Sequence, residues 1–173
     1  MTTFTRLMSV VLVWAGASLS ASTAQLPSWL EVTPYPGFSG PAAVHSGPRE
    51  ETFRAVRSQT EWSTLWRTLS TNLPGPKSDA PYVDFRQFTM LVAALGTRPS
   101  GAYAVKIQDA VDDSTVIEVY VLEVRPTGPD CTATSDIAYP ISIALIPRTD
   151  RRVEFELRAA NLDCRSFRSI AGG

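Results

Sequence analysis

His45 is the only histidine in the 173 residues, so any chemistry that needs an imidazole base must use it. It lies between Val44 and Ser46 in a stretch rich in proline and glycine, and such a tether does not supply the rigid shell that holds a general base in place. Metal sites built from several imidazoles are excluded, and any nucleophilic triad would have to rest on this one residue. Two carboxylates, Glu154 and Glu156, share one face of a strand-like segment, which is how a glycosidase pair could be arranged. Arg152 and Arg158 flank them on that face and pair them, keeping both ionised, so a solvated charge ladder is the expected reading. Asp109, Asp112 and Asp113 lack the twelve-position ligand pattern of a calcium loop and read as a turn. There is no Gly-x-Ser-x-Gly elbow, no Walker motif and no Gly-x-Gly-x-x-Gly. The expectation is a chain with no catalytic residues, no cofactor and no metal.

Cys131 and Cys164 are the two cysteines, without Cys-x-x-Cys spacing or a nearby histidine. In an exported chain an even pair is most simply a disulfide, with a redox pair or two metal-ligating thiols as the other readings. Export is suggested by the first residues. Arg6 precedes the apolar run Leu7 to Ala17, too short to cross a bilayer comfortably, and Ser22 and Ala24 suit a cut before Gln25. Residues 1–24 therefore read as a signal peptide, an uncut membrane anchor being the alternative. The mature chain is expected in the periplasm or secreted, with no membrane span. A balance of 16 Lys+Arg against 17 Asp+Glu, with Lys77 and Lys106 the only lysines, offers no basic surface for nucleic acid.

These residues need elements to position them. With 44% hydrophobic residues the chain has the proportions of one globular domain. Residues 25–50 carry five prolines and three glycines and read as an extended, flexible lead into a domain at 51–173. Phe53 to Arg57 alternates as a short strand and runs into Ser58-Gln59-Thr60-Glu61, a capping box. Trp62, Leu65, Trp66 and Leu69 then mark one face of a helix that belongs against a sheet. Five strand-like segments follow. Phe88 to Leu95 is continuously apolar, as for a strand covered on both faces; Tyr103 to Gln108 and Thr115 to Val124 alternate about Asp112-Asp113-Ser114 as a hairpin; Ile141 to Ile146 and Arg152 to Arg158 are expected to pair next. The fold class expected is mainly β, an antiparallel sheet or small sandwich with one amphipathic α-helix. Its core should take Trp62, Trp66, Val92, Val105, Ile107, Val119, Val121, Ile143, Val153 and Phe155.

Asp84-Phe85, the strand Met90 to Leu95, and Gly96-Thr97-Arg98-Pro99-Ser100-Gly101-Ala102-Tyr103, with Trp62, Leu65 and Trp66 upstream and Pro126, Gly128 and Cys131 downstream, together resemble the PrcB C-terminal domain family. The likeness runs over about residues 53 to 147. Ser100 and Ala102 stand where family members usually carry threonine and a second glycine, and Tyr139-Pro140 reverses a Pro-Tyr found in many of them. The resemblance implies a non-enzymatic exported domain, in a family named after a subunit that accompanies a surface protease. Arg98, Pro99, Ser100, Gly101 and Tyr103, with Pro126 and Gly128, are then the candidate contacts to a protein partner, a protease or another envelope protein. The same composition also suits a plain turn with Tyr103 entering the core. A second reading comes from a faint similarity of this turn to the Thr-Gly-Tyr loop of chagasin-type cysteine-protease inhibitors; residues 98–103 and 124–130 would then be inserted loops.

Overall fold

The structure is a computed structural model that describes residues 26–36, 41–70, 79–127 and 136–163. The elements are β1 (Ser28–Leu30), β2 (Thr33–Pro34), α1 (Pro41–His45), β3 (Thr52–Val56), α2 (Gln59–Leu69), β4 (Phe88–Ala94), β5 (Ala104–Asp112), β6 (Val116–Thr127), β7 (Ile141–Pro147) and β8 (Arg152–Asp163). The strands form two four-stranded sheets, one ordered β1-β5-β6-β8 and the other β2-β7-β4-β3. The mainly β fold class read from the sequence is the one observed. The reading of residues 1–24, both cysteines and Gly128 fall outside the described residues.

Why the chain stacks in three layers follows from which faces are apolar. Met90, Val92 and Ala94 of β4 point one way, with Ile141 and Ile143 of β7, into a core completed by Trp62, Leu65, Trp66 and Leu69 of α2. Leu91 and Ala93 of β4 point the other way, with Ala144 and Ile146 of β7, toward Ile107, Ala110, Ile117, Val119 and Val121 of the facing sheet. The continuous apolar run of β4 is thus explained: both its faces are covered. On the far side of the β1-β5-β6-β8 sheet lie Glu118, Tyr120, Glu154, Glu156 and Arg158, so that face is solvated, as the two-residue alternation of β6 and β8 requires.

Helix α2 begins as its capping box prescribes, with one adjustment. The Ser58 hydroxyl accepts from the Glu61 amide at 3.2 Å. The Glu61 carboxylate reaches one residue further back than in the standard box and accepts from the Arg57 amide at 2.9 Å. Trp62 is fully buried, its indole nitrogen donating to the Pro81 carbonyl at 2.9 Å, and it packs its ring against Trp66 and Tyr35.

Three features differ from the sequence reading. β7 and β8 do not pair: β7 lies antiparallel to β4, and β8 crosses to the other sheet and runs parallel to β6 over twelve consecutive residue pairs. Alternation determines which side of a strand is apolar but not which strand lies beside it, and the apolar row Val153, Phe155 and Leu157 is satisfied in either sheet. β5 contains a bulge between Ile107 and Asp109 that shifts the inward face, so Ala110 rather than Asp109 enters the core. The proline-rich lead does form ladders: β1 pairs with the end of β5 and β2 with β7. Edge positions tolerate its prolines, and Pro34 sits at an edge.

Candidate functional site

One end of the sandwich gathers the segments around residues 44–51, 95–103 and 138–140. Leu95 donates its amide to the Pro140 carbonyl, Thr97 to Arg49, Tyr139 to Val44 and Gly47 to Tyr139. Arg98 and Ala138 form an isolated bridge, each amide donating to the other's carbonyl. Glycine is needed at two places in this knot. Gly96 has φ +73°, and a Cβ there would stand 2.8 Å from the Glu51 nitrogen; a Cβ on Gly47 would stand 2.5 Å from the Tyr139 oxygen.

Arg98 is the centre of the knot. Its Nε donates to Glu123 Oε1 at 2.9 Å and its Nη1 to the Leu95 carbonyl at 2.6 Å, while Nη2 lies 3.7 Å from Glu51. The Arg98 side chain is only 20% exposed and that of Glu123 2%. Arg125 donates to the other Glu123 oxygen at 2.7 Å. Burial alone would raise the Glu123 carboxyl, but the hydrogen bonds and charges of Arg125 and Arg98 outweigh it and hold the group below its usual range. Glu123 was not among the residues singled out from the sequence, although the signal was there. It follows Ile117, Val119 and Val121 at the inward phase of β6, and an inward carboxylate demands a cation.

The remaining candidates are placed as follows. Pro99 is exposed; Ser100, Gly101, Tyr103 and Pro126 are half-buried. Of this group the guanidinium of Arg98 is turned into the fold, so Arg98 shapes the loop and the outward contacts are left to its neighbours. Beside the Arg98–Ala138 bridge stands a residue the sequence reading passed over, Ile137, a large apolar side chain 56% exposed. The rim therefore presents Pro99, Ser100, Tyr103 and Ile137 around a rigid, ion-paired base.

His45 ends α1 at an exposed position, and among the described residues its ring has no carboxylate or hydroxyl partner to orient it. Arg158 bonds to Glu156 at 2.7 Å and lies over the Tyr120 ring, and Arg152 pairs with Glu154 at 3.0 Å. The bond from Arg158 holds the Glu156 carboxyl below its usual range, the reverse of what a general acid requires. Asp113 Oδ1 accepts from the amides of Thr115 and Val116 and from the Thr115 hydroxyl, and Asp112 accepts from Ser114, so these aspartates form the turn, with Ser114 at φ +76°. No group of three or more His, Cys, Asp or Glu side chains able to hold a metal occurs among the described residues. Nor is any described helix long and apolar enough to cross a membrane. At the opposite end of the sandwich an open concavity of about 500 Å³ is lined by Asp112, Arg148, Asp150 and Arg151, whose charges pair with one another.

The strand that buries both faces, the loop with Arg98 and the β5–β6 hairpin all lie in one continuous stretch of chain. Residues 89–147 match the PrcB C-terminal family. The matched segment holds β4 to β7, with Gly96, the Arg98–Glu123 pair and the rim residues from Pro99 to Ile137. It is narrower than the likeness read from the sequence, which began near residue 53: α2 and its tryptophans lie outside it. No curated protein and no solved structure matched the chain.

Proposed function

We propose that the chain is an exported, non-catalytic protein-binding domain that serves as an accessory or stabilising subunit of a protease or another envelope complex. The observation that carries this reading is the match of residues 89–147 to the PrcB C-terminal family; the subunit of a surface-protease complex is what the resemblance read from the sequence implies. The geometry supports it. A buried ion pair and six backbone hydrogen bonds hold the rim from beneath, and a preorganised surface loses little freedom on docking. Pro99, Tyr103 and Ile137 offer the mixture of rigid, aromatic and apolar side chains that favours protein contact. The export step rests on the leading sequence alone.

The test is purification of the protein from its own host with its native associates, followed by their identification. A protease is expected among them, and its yield should fall when this chain is deleted. Ile137→Asp and Tyr103→Ala should each cut its recovery by about 10-fold or more at an unchanged melting temperature, since an interface anchor commonly contributes upwards of about 2 kcal/mol. Turnover of the associated protease that instead rises when the chain is removed would transfer the reading to an inhibitor acting through residues 98–103 and 124–130. If no protein is ever recovered, the binding function is wrong.

A further inference from the structure

β8 is the outermost strand of its sheet, and no described strand lies on its far side. Natural edges of this length are blunted by prolines, bulges or inward-pointing charges. β8 has none of these, and of the other such devices it carries only a row of outward charges. Residues 152–163 contain no proline, the register with β6 is unbroken, and the inward row Val153, Phe155 and Leu157 is wholly apolar yet only half-buried. The outward row reads Arg152, Glu154, Glu156, Arg158, each side chain at least half exposed.

We infer that β8 pairs antiparallel with β8 of a second copy of this chain about a two-fold axis at Leu157, joining two four-stranded sheets into one of eight. The charge row selects both the occupant and the register. In a symmetric antiparallel pair the residue on the axis determines every other pairing, and residues directly opposite share a face. An axis at any of the four charged residues puts that charge against itself. An axis at Phe155 sets Glu154 against Glu156 and Arg152 against Arg158, all like charges. An axis at Val153 matches Arg152 with Glu154 but overlaps only the first turnward residues of the strand. At Leu157 each Glu156 meets Arg158 of the other copy, Glu154 faces Ala160, Phe155 faces Ala159, and the overlap runs over residues 152–162. The half-buried Leu157 pair closes the inner row, and the Arg158 side chains keep their seats over Tyr120.

Sedimentation of the purified protein over a range of concentrations tests this. The unaltered chain should show a concentration-dependent monomer–dimer equilibrium. Glu156→Arg alone and Arg158→Glu alone should each weaken it by about 10-fold or more, because two cross-strand attractions become repulsions. Mixing the two single variants should restore dimer as the mixed species, and so should the double variant Glu156→Arg with Arg158→Glu. Circular dichroism of each variant should be unchanged, because the substituted side chains are exposed. A chain that stays monomeric at hundreds of micromolar overturns the proposal. So does a dimer indifferent to the single substitutions, or single variants whose mixture fails to associate.

Discussion

A carboxylate facing the interior of a sandwich is tolerable only while it is neutralised by partners close enough to replace water. Glu123 meets that condition through Arg98 and Arg125, and Arg98 is the less exposed of the two. Removing Arg98 leaves a buried charge with one partner at the surface, so Arg98→Ala should cost about 3 kcal/mol in urea titrations at pH 7. The pH dependence has a definite sign. The folded carboxyl lies below its unfolded value, so the pair contributes fully above the unfolded pKa, roughly 4.3, and its contribution fades as pH falls through the folded one. The gap between the parent chain and Glu123→Gln should therefore narrow when the titration is repeated in acid below about pH 4. Gly96 is a second single-residue control point. Gly96→Ala forces a left-handed backbone on alanine and a Cβ against the Glu51 nitrogen, and a loss of about 2 kcal/mol is expected in the same titrations. A motif that carries arginine after such a glycine looks from sequence like an exposed hook. What the residues alone did not reveal is that the arginine has an internal carboxylate to satisfy, because Glu123 is 25 positions downstream and on another strand.

Among the elements, those governed by local pattern were legible and those governed by long-range choice were not. α2 was readable end to end, since cap and apolar face are both local signals. β4 was readable as doubly covered because its run contains no polar gap except Thr89, whose hydroxyl bonds to the Thr149 carbonyl. The β5–β6 hairpin followed from its turn aspartates, whereas its bulge left no mark that alternation could show. The parallel partner of β8 was illegible for a different reason: the choice between two neighbouring strands is made by packing across the whole sandwich. Trp66→Ala probes the element that holds the outer layer. Truncating a buried tryptophan typically costs about 3 to 5 kcal/mol, so a drop of roughly 10 °C in melting temperature is expected by calorimetry. Ser58→Ala, which removes only the cap, should cost about 1 kcal/mol.

At the scale of the whole molecule the layers are α2, the β2-β7-β4-β3 sheet and the β1-β5-β6-β8 sheet, and the chain passes between the two sheets several times. One such passage, from β7 to β8, lies between Cys131 and Cys164 in sequence. If the two cysteines are joined, the bridge encloses about 34 residues including both strands, and restricts the unfolded chain by on the order of 4 kcal/mol before any strain. Exported protein should then gain two hydrogens in intact mass on reduction and melt at a lower temperature afterwards. Labelling of both thiols without reductant would show that the pair is open.

The tryptophans make the layers optically distinct. Trp62 and Trp66 lie in contact under the sheet, buried from water, whereas Trp29 on β1 is 71% exposed at the opposite edge. In a Trp14→Phe background the emission should therefore separate into a red-shifted component from Trp29, quenched readily by iodide, and a blue-shifted component from the helix pair that iodide hardly reaches. Loss of the first component's position alone would report detachment of the leading strand; simultaneous movement of both would report cooperative melting. The chain thus carries, without added dye, separate optical reporters for its leading edge strand and for the packed seam between α2 and the sheet beneath it.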